Sequence, residues 1–79
     1  MKFTQTVKFY SVNDDNTVTI YVTDEVGIKR YYRANARYDI LGKMAQLKKD
    51  DNALVTIGIA YVRDKGLIMQ IVEVVQNES

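Results

Sequence analysis

The sequence contains no cysteine, no histidine, no proline and no tryptophan. Without cysteine there is neither a disulfide nor a thiolate metal site, a pattern that fits a reducing compartment, so a cytoplasmic location is expected. Without histidine or cysteine, the commonest general base, the commonest metal ligand and the strongest side-chain nucleophile are all missing. Serine occurs only at Ser11 and Ser79, with no base arranged near either. The four glycines, Gly27, Gly42, Gly58 and Gly66, are isolated, so no glycine-rich phosphate cradle is encoded. No stretch approaches the roughly 20 apolar residues of a membrane span. The opening MKFTQTVKFYSV has no continuous apolar core of the kind a signal peptide carries. These absences predict a binding protein rather than an enzyme, with no cofactor, no metal and no membrane.

What remains is ordinary for a small globular chain. The 79 residues are 47% hydrophobic and 27% charged, enough for one domain over 1–79 and too few for two. The net charge of +1 conceals an uneven distribution. Ile28–Lys49 holds seven basic residues against the single acid Asp39, a net +6, and the rest of the chain carries −5. Segregated charge makes a local field even when the total is near zero, and here it points to an anionic partner. A basic segment spread over a solvated surface is the plainer alternative.

Period-two alternation marks the first strand at residues 2–12, with Phe3, Val7 and Phe9 on one side and Thr4, Thr6, Lys8 and Tyr10 on the other. NDDN (13–16) is a turn. TVTIYVT (17–23) is wholly β-branched or aromatic and alternates cleanly, with Val18, Ile20 and Val22 opposite Thr17, Thr19, Tyr21 and Thr23. DEVG (24–27) closes a hairpin onto a third strand, 28–35, whose core side carries Ile28, Arg30, Tyr32 and Ala34. The period then lengthens: Ile40, Leu41, Met44 and Leu47 follow helical spacing, with Asp39 capping the start or lying in the first turn, Lys48 and Lys49 in the last turn, and Gly42 keeping the helix short. ALVTIGIAYV (53–62) is apolar on both faces, and Gly58 within it predicts a sharp bend or a close approach by another backbone. RDKG (63–66) is a turn, LIMQIVEVV (67–75) a last strand, and 76–79 a frayed polar tail.

Five short strands protect their edges best by curling into a barrel, with the helix closing one end. The order β-β-β-α-β-β over residues 2–75 resembles the OB-fold, the oligonucleotide/oligosaccharide-binding barrel, and the fold expected is a mainly β, five-stranded antiparallel barrel. An SH3-like barrel and an open α+β sheet are the alternatives. First strands of OB-folds commonly carry a glycine or a bulge, and residues 2–12 contain no glycine, which leaves closure open.

Paired acids at Asp14-Asp15, Asp24-Glu25 and Asp50-Asp51 lie in polar turns, where solvated carboxylates keep ordinary acidity and do no acid–base work near neutral pH. Tyrosine is the distinctive residue, with six copies. Single-stranded nucleic acid is bound by flat rings for bases and cations for phosphates. The third strand supplies both on one face with Lys29, Tyr31 and Arg33, and the second adds Thr19 and Tyr21. The resemblance implies a ligand on the outer surface of strands two and three, flanked by the loops after strands one and four, the latter carrying Arg63 and Lys65. Single-stranded DNA or RNA is therefore the expected partner. The alternative is a protein-interaction module using the same face, an inhibitor or accessory subunit that could also form a homodimer. Tyrosine also serves plain packing, the role expected of Tyr32, Tyr38 and Tyr61, and Lys29 and Arg33 could simply keep a sheet soluble.

Overall fold

The computed structural model describes residues 1–77. Five strands, β1 (Lys2–Val12), β2 (Thr17–Thr23), β3 (Lys29–Ala36), β4 (Asn52–Val62) and β5 (Gly66–Asn77), with one helix α1 (Tyr38–Met44) between β3 and β4, form a closed barrel in the order β1-β2-β3-β5-β4. Element order and closure match the expected barrel. One detail is corrected: β3 and β5 pair in parallel, through Asn35↔Gln70 and Ala36↔Ile71, so the barrel is mixed rather than wholly antiparallel. The reason is parity. Strand direction cannot alternate all the way round a closed ring of five, and at least one neighbouring pair must be parallel.

Closure is achieved without a glycine in β1. Residues 2–8 of β1 pair with β4, from Lys2↔Gly58 to Lys8↔Asn52, and residues 8–12 pair with β2. Between Phe9 and Ser11 the register slips at Tyr10, a bulge that bends the strand from one partner to the other. The expected close approach at Gly58 comes from a side chain: a Cβ there would lie 3.1 Å from Val72 Cγ2.

Alternation carries the core. Val7, Phe9, Val18, Ile20, Val55 and Ile57 point inward from three strands, and Ile71 meets them from β5. At one end Ile40, Leu41 and Met44 of α1, with Leu47 just beyond it, close the barrel. Burying each such side chain contributes about 1.5–3 kcal/mol. The other end, where β1, β3 and β5 begin and β2 and β4 finish, has no such plug among the described residues. Arg30, on the core side of β3, reaches out at that end and pairs with Asp24 at 3.4 Å.

Two expectations about the edges of elements are revised. Gln76 and Asn77, read as frayed tail, belong to β5, and the remainder of that tail, 78–79, lies outside the described residues. Tyr38 and Tyr61, read as packing residues, are exposed, because Tyr38 starts α1 on its solvent side and Tyr61 lies on a hairpin that projects past the barrel rim.

Candidate functional site

The outer surface of β1–β3 carries a cluster of three tyrosines. Pairing sets Lys8, Tyr21 and Tyr31 side by side across the three strands, and the bulge brings Tyr10 to the same surface. Tyr31 is the hub. Its ring meets Tyr10 edge-on at 5.3 Å between centroids and leans on Tyr21 at 5.1 Å. Both spacings fall in the favourable range for aromatic pairs. Lys29 Nζ stands 5.0 Å from the centre of the Tyr21 ring, and Lys49 Nζ stands 5.0 Å from that of Tyr10. The lysines thus border the cluster on two sides.

The three rings differ in access. Tyr31 is 49% exposed and Tyr10 40%, whereas Tyr21 is only 2% exposed. Tyr21 therefore serves as the floor on which Tyr31 rests. Its hydroxyl donates to the Asp50 carboxylate, which lies just past the turn that follows α1. That hydrogen bond, together with burial and the negative charge of Asp50, pushes the Tyr21 phenol up to about 12. The same bond, helped by Lys29, Lys49 and Lys8, holds the Asp50 carboxyl below its usual range even though burial opposes it. Asp50 has φ +74°, a left-handed conformation that Asp tolerates better than most residues. It is fixed there by its N–H, which donates to the Phe9 carbonyl at 2.7 Å. Asp50 is thus a bonded residue of the site, in place of the freely solvated turn carboxylate expected.

The other anticipated residues occupy different surroundings. Arg33 lies one strand position beyond Tyr31 on the same face, exposed, 3.8 Å from Asp15 in the β1–β2 turn. Thr19 is half-buried, and its hydroxyl accepts a hydrogen bond from Asn13 Nδ2 at 2.9 Å, which ties it into the turn. Arg63 and Lys65 are exposed on the β4–β5 turn, at the end of the barrel where β3 begins with Lys29. The structure thus gathers Tyr21, Lys29, Tyr31 and Arg33 on one surface. Thr19 is on its border, and Arg63 and Lys65 lie on the rim.

Four side chains of the site lie outside the set that strand alternation and the resemblance point to: Tyr10, Lys49, Lys8 and Asp50. Tyr10 and Lys8 were legible in principle, since both alternate onto the outer face of a strand that a short turn joins to β2. Lys49 and Asp50 reach the cluster only because the chain returns to β1 after the helix, with Phe9 N–H donating to the Asp51 carbonyl at 2.8 Å. Lys8 in turn donates to Asn52 Oδ1 at 3.0 Å. Where β1 leaves β2 for β4, a groove of about 250 Å³ lined by Gln5, Thr6, Lys8, Tyr21 and Thr23 runs beside the cluster.

The fold and this surface together define a small closed β-barrel with an aromatic, lysine-bordered outer face. The protein-family models, curated proteins and solved structures compared with the chain include none that matches it.

Proposed function

We propose that this barrel binds single-stranded nucleic acid on the outer face of β1–β3, in the manner of an OB-fold. The observation that carries the reading is Tyr31, a half-exposed ring supported from below by Tyr21 and from the side by Tyr10. A ring held in this way offers a base a preorganised stacking surface, because its rotamer freedom is already restricted. Tyr10 offers a second. Lys29, Lys49 and Arg33 surround them at positions suited to phosphates, and Lys8 borders the adjacent groove. Arg63 and Lys65 extend the basic surface for a strand crossing towards the barrel rim. The strand order β1-β2-β3-β5-β4 and the helix between β3 and β4 add support, since they are the arrangement that resembles that family. Ring stacking and phosphate contacts carry no base identity, so a binding mode built on them is sequence-tolerant.

Fluorescence anisotropy with labelled oligo-dT and oligo-U, at low and high salt, tests this. Both should bind at low salt and weaken as salt rises. Tyr31→Ala should weaken binding roughly 5- to 150-fold, the equivalent of one lost stacked base. Adding Arg33→Ala should abolish measurable binding. Absence of binding at low salt, or unchanged binding by the double variant, would leave an acidic protein as the better candidate for this face.

A further inference from the structure

The open end of the barrel poses a separate question. Beyond the layer formed by Ile57 and Ile71, the β4–β5 hairpin continues outward with the same inward-facing side apolar: Ile59 pairs with Met69, then Tyr61 with Leu67. Ile59 and Met69 are partly buried, but Tyr61 is 73% and Leu67 75% exposed. They overhang an apolar cavity of about 360 Å³ at the mouth, lined by Phe3, Val22, Tyr32, Ile57, Ile59 and Met69. Val26 and Ile28, at the β2–β3 turn on the same end of the barrel, are exposed as well. Exposed apolar surface gathered at one end of a small domain marks an interaction site.

The flanking strands are incomplete at the same place. β3 and β5 pair only at Asn35↔Gln70 and Ala36↔Ile71, so Lys29–Ala34 of β3 and Gly66–Met69 of β5 leave a seam without strand partners between them. On one side of that seam is the β2–β3 turn, where Asp24 is paired with Arg30 and Glu25 is exposed. On the other is the β4–β5 turn with Arg63 and Lys65, and one acid, Asp64.

We infer that the open end is covered by a second copy of this chain, in an end-on two-fold dimer whose axis passes through the β3–β5 seam. That axis, and no other through the mouth, sets Glu25 on the β2–β3 turn of each copy against the basic β4–β5 turn of its partner, twice over, as an isologous contact requires. The apolar rim of one mouth then covers the other. Val26, Ile28, Tyr32, Tyr61 and Leu67 are each at least 40% exposed and supply the apolar centre of the contact, with the charged turns as its rim. The dimer takes Arg63 and Lys65 from the proposed nucleic-acid surface but leaves its centre, Tyr10, Tyr31 and Lys49, uncovered, so the two readings compete only at the rim.

Sedimentation equilibrium over a wide concentration range tests the inference on the intact chain. The expected mass is twice that of the chain. Tyr61→Asp with Leu67→Asp should give a monomer with unchanged far-ultraviolet circular dichroism, because both side chains are outside the barrel's own core. A charge exchange provides an independent check. Lys65→Glu should weaken the dimer at least roughly tenfold by opposing Glu25 of the partner, and adding Glu25→Lys should restore it. A wild-type chain that stays monomeric at millimolar concentration leaves the mouth to a different protein and overturns the inference. A dimer indifferent to the aspartates, or one the exchange fails to restore, does so as well.

Discussion

The phenol of Tyr21 and the carboxylate of Asp50 hold each other in their ordinary charge states, and this fixes the pH range over which the site is intact. Asp50 is held below its usual value of 3.8 chiefly by the Tyr21 hydroxyl, and Asp15 is held below it chiefly by the Thr17 hydroxyl. A carboxyl whose acidity is greater in the folded state adds stability that is present above about pH 4 and is lost as the pH falls further. Tyr21 has the opposite sense. Its phenol is raised from 10.0 to about 12, so its contribution is whole below pH 10 and disappears as the pH rises through about 12. Thermal melts should therefore show a plateau between these limits and decline on both sides. Tyr21→Phe should remove the phenolate absorbance step near pH 12 and flatten the alkaline decline. Asp50→Asn keeps a residue that tolerates positive φ but removes the charge, so it should bring the Tyr21 step back towards 10. A Tyr21 titration unchanged in Asp50→Asn would show that the pair is not coupled.

At the scale of elements, the helix that closes the barrel is short, uncapped by a side chain and readily improved. α1 has only seven residues, and its N-cap, Arg37, makes no side-chain capping bond. Gly42 sits on its exposed side, where an added Cβ would meet nothing within 4 Å. Gly42→Ala should therefore raise stability by about 0.5–1 kcal/mol, measured by urea denaturation. Met44, fully buried, is the plug itself, and Met44→Ala should cost about 2–5 kcal/mol. Period and turn chemistry made these elements visible in the sequence, because alternation and helical spacing are local properties. The boundary of α1 was less visible: Leu47 keeps the helical period and is buried, yet a tighter turn, with Leu47 N–H donating to the Met44 carbonyl at 3.0 Å, carries it there. The bend in β1 was hidden for a different reason. A bulge at Tyr10 does what a glycine would have announced, and a bulge depends on the partner strands rather than on a residue type. The parallel β3–β5 pairing was within reach, since it follows from counting strands once closure is assumed.

For the molecule as a whole, the deciding quantity is where charge ends up after folding. The net +6 of residues 28–49 is not gathered into one patch. Lys29 and Arg33 join the tyrosine face from β3 and Lys49 joins it from the far side of the helix, while Arg30 and Arg37 are taken up by Asp24 at 3.4 Å and Asp39 at 3.6 Å. Linear charge counting therefore located the strands of the site but overstated its field, and it missed Lys8, which arrives from the acidic remainder of the chain. Tyr21 illustrates the same limit. Its side of the strand was readable from alternation, but its burial was not, because the Tyr31 and Asp50 that cover it come from elsewhere. The folded distribution leads to a quantitative expectation for binding. With Arg63 and Lys65 held in the dimer contact, Lys8, Lys29, Lys49 and Arg33 can neutralise up to four phosphates, and Asp15 competes for Arg33. With about 0.7 counterions released per phosphate of a single strand, the slope of log K against log salt should be about −2 to −3. Lys29→Ala and Lys49→Ala should each make the slope shallower by about 0.7 without altering base preference, and Tyr31→Ala should lower affinity at every salt concentration while leaving the slope unchanged. A slope near zero would mean that phosphates are not what these lysines meet. A Tyr31→Ala effect confined to low salt would mean that the ring acts by holding Lys29 in place through Tyr21, rather than by stacking on a base.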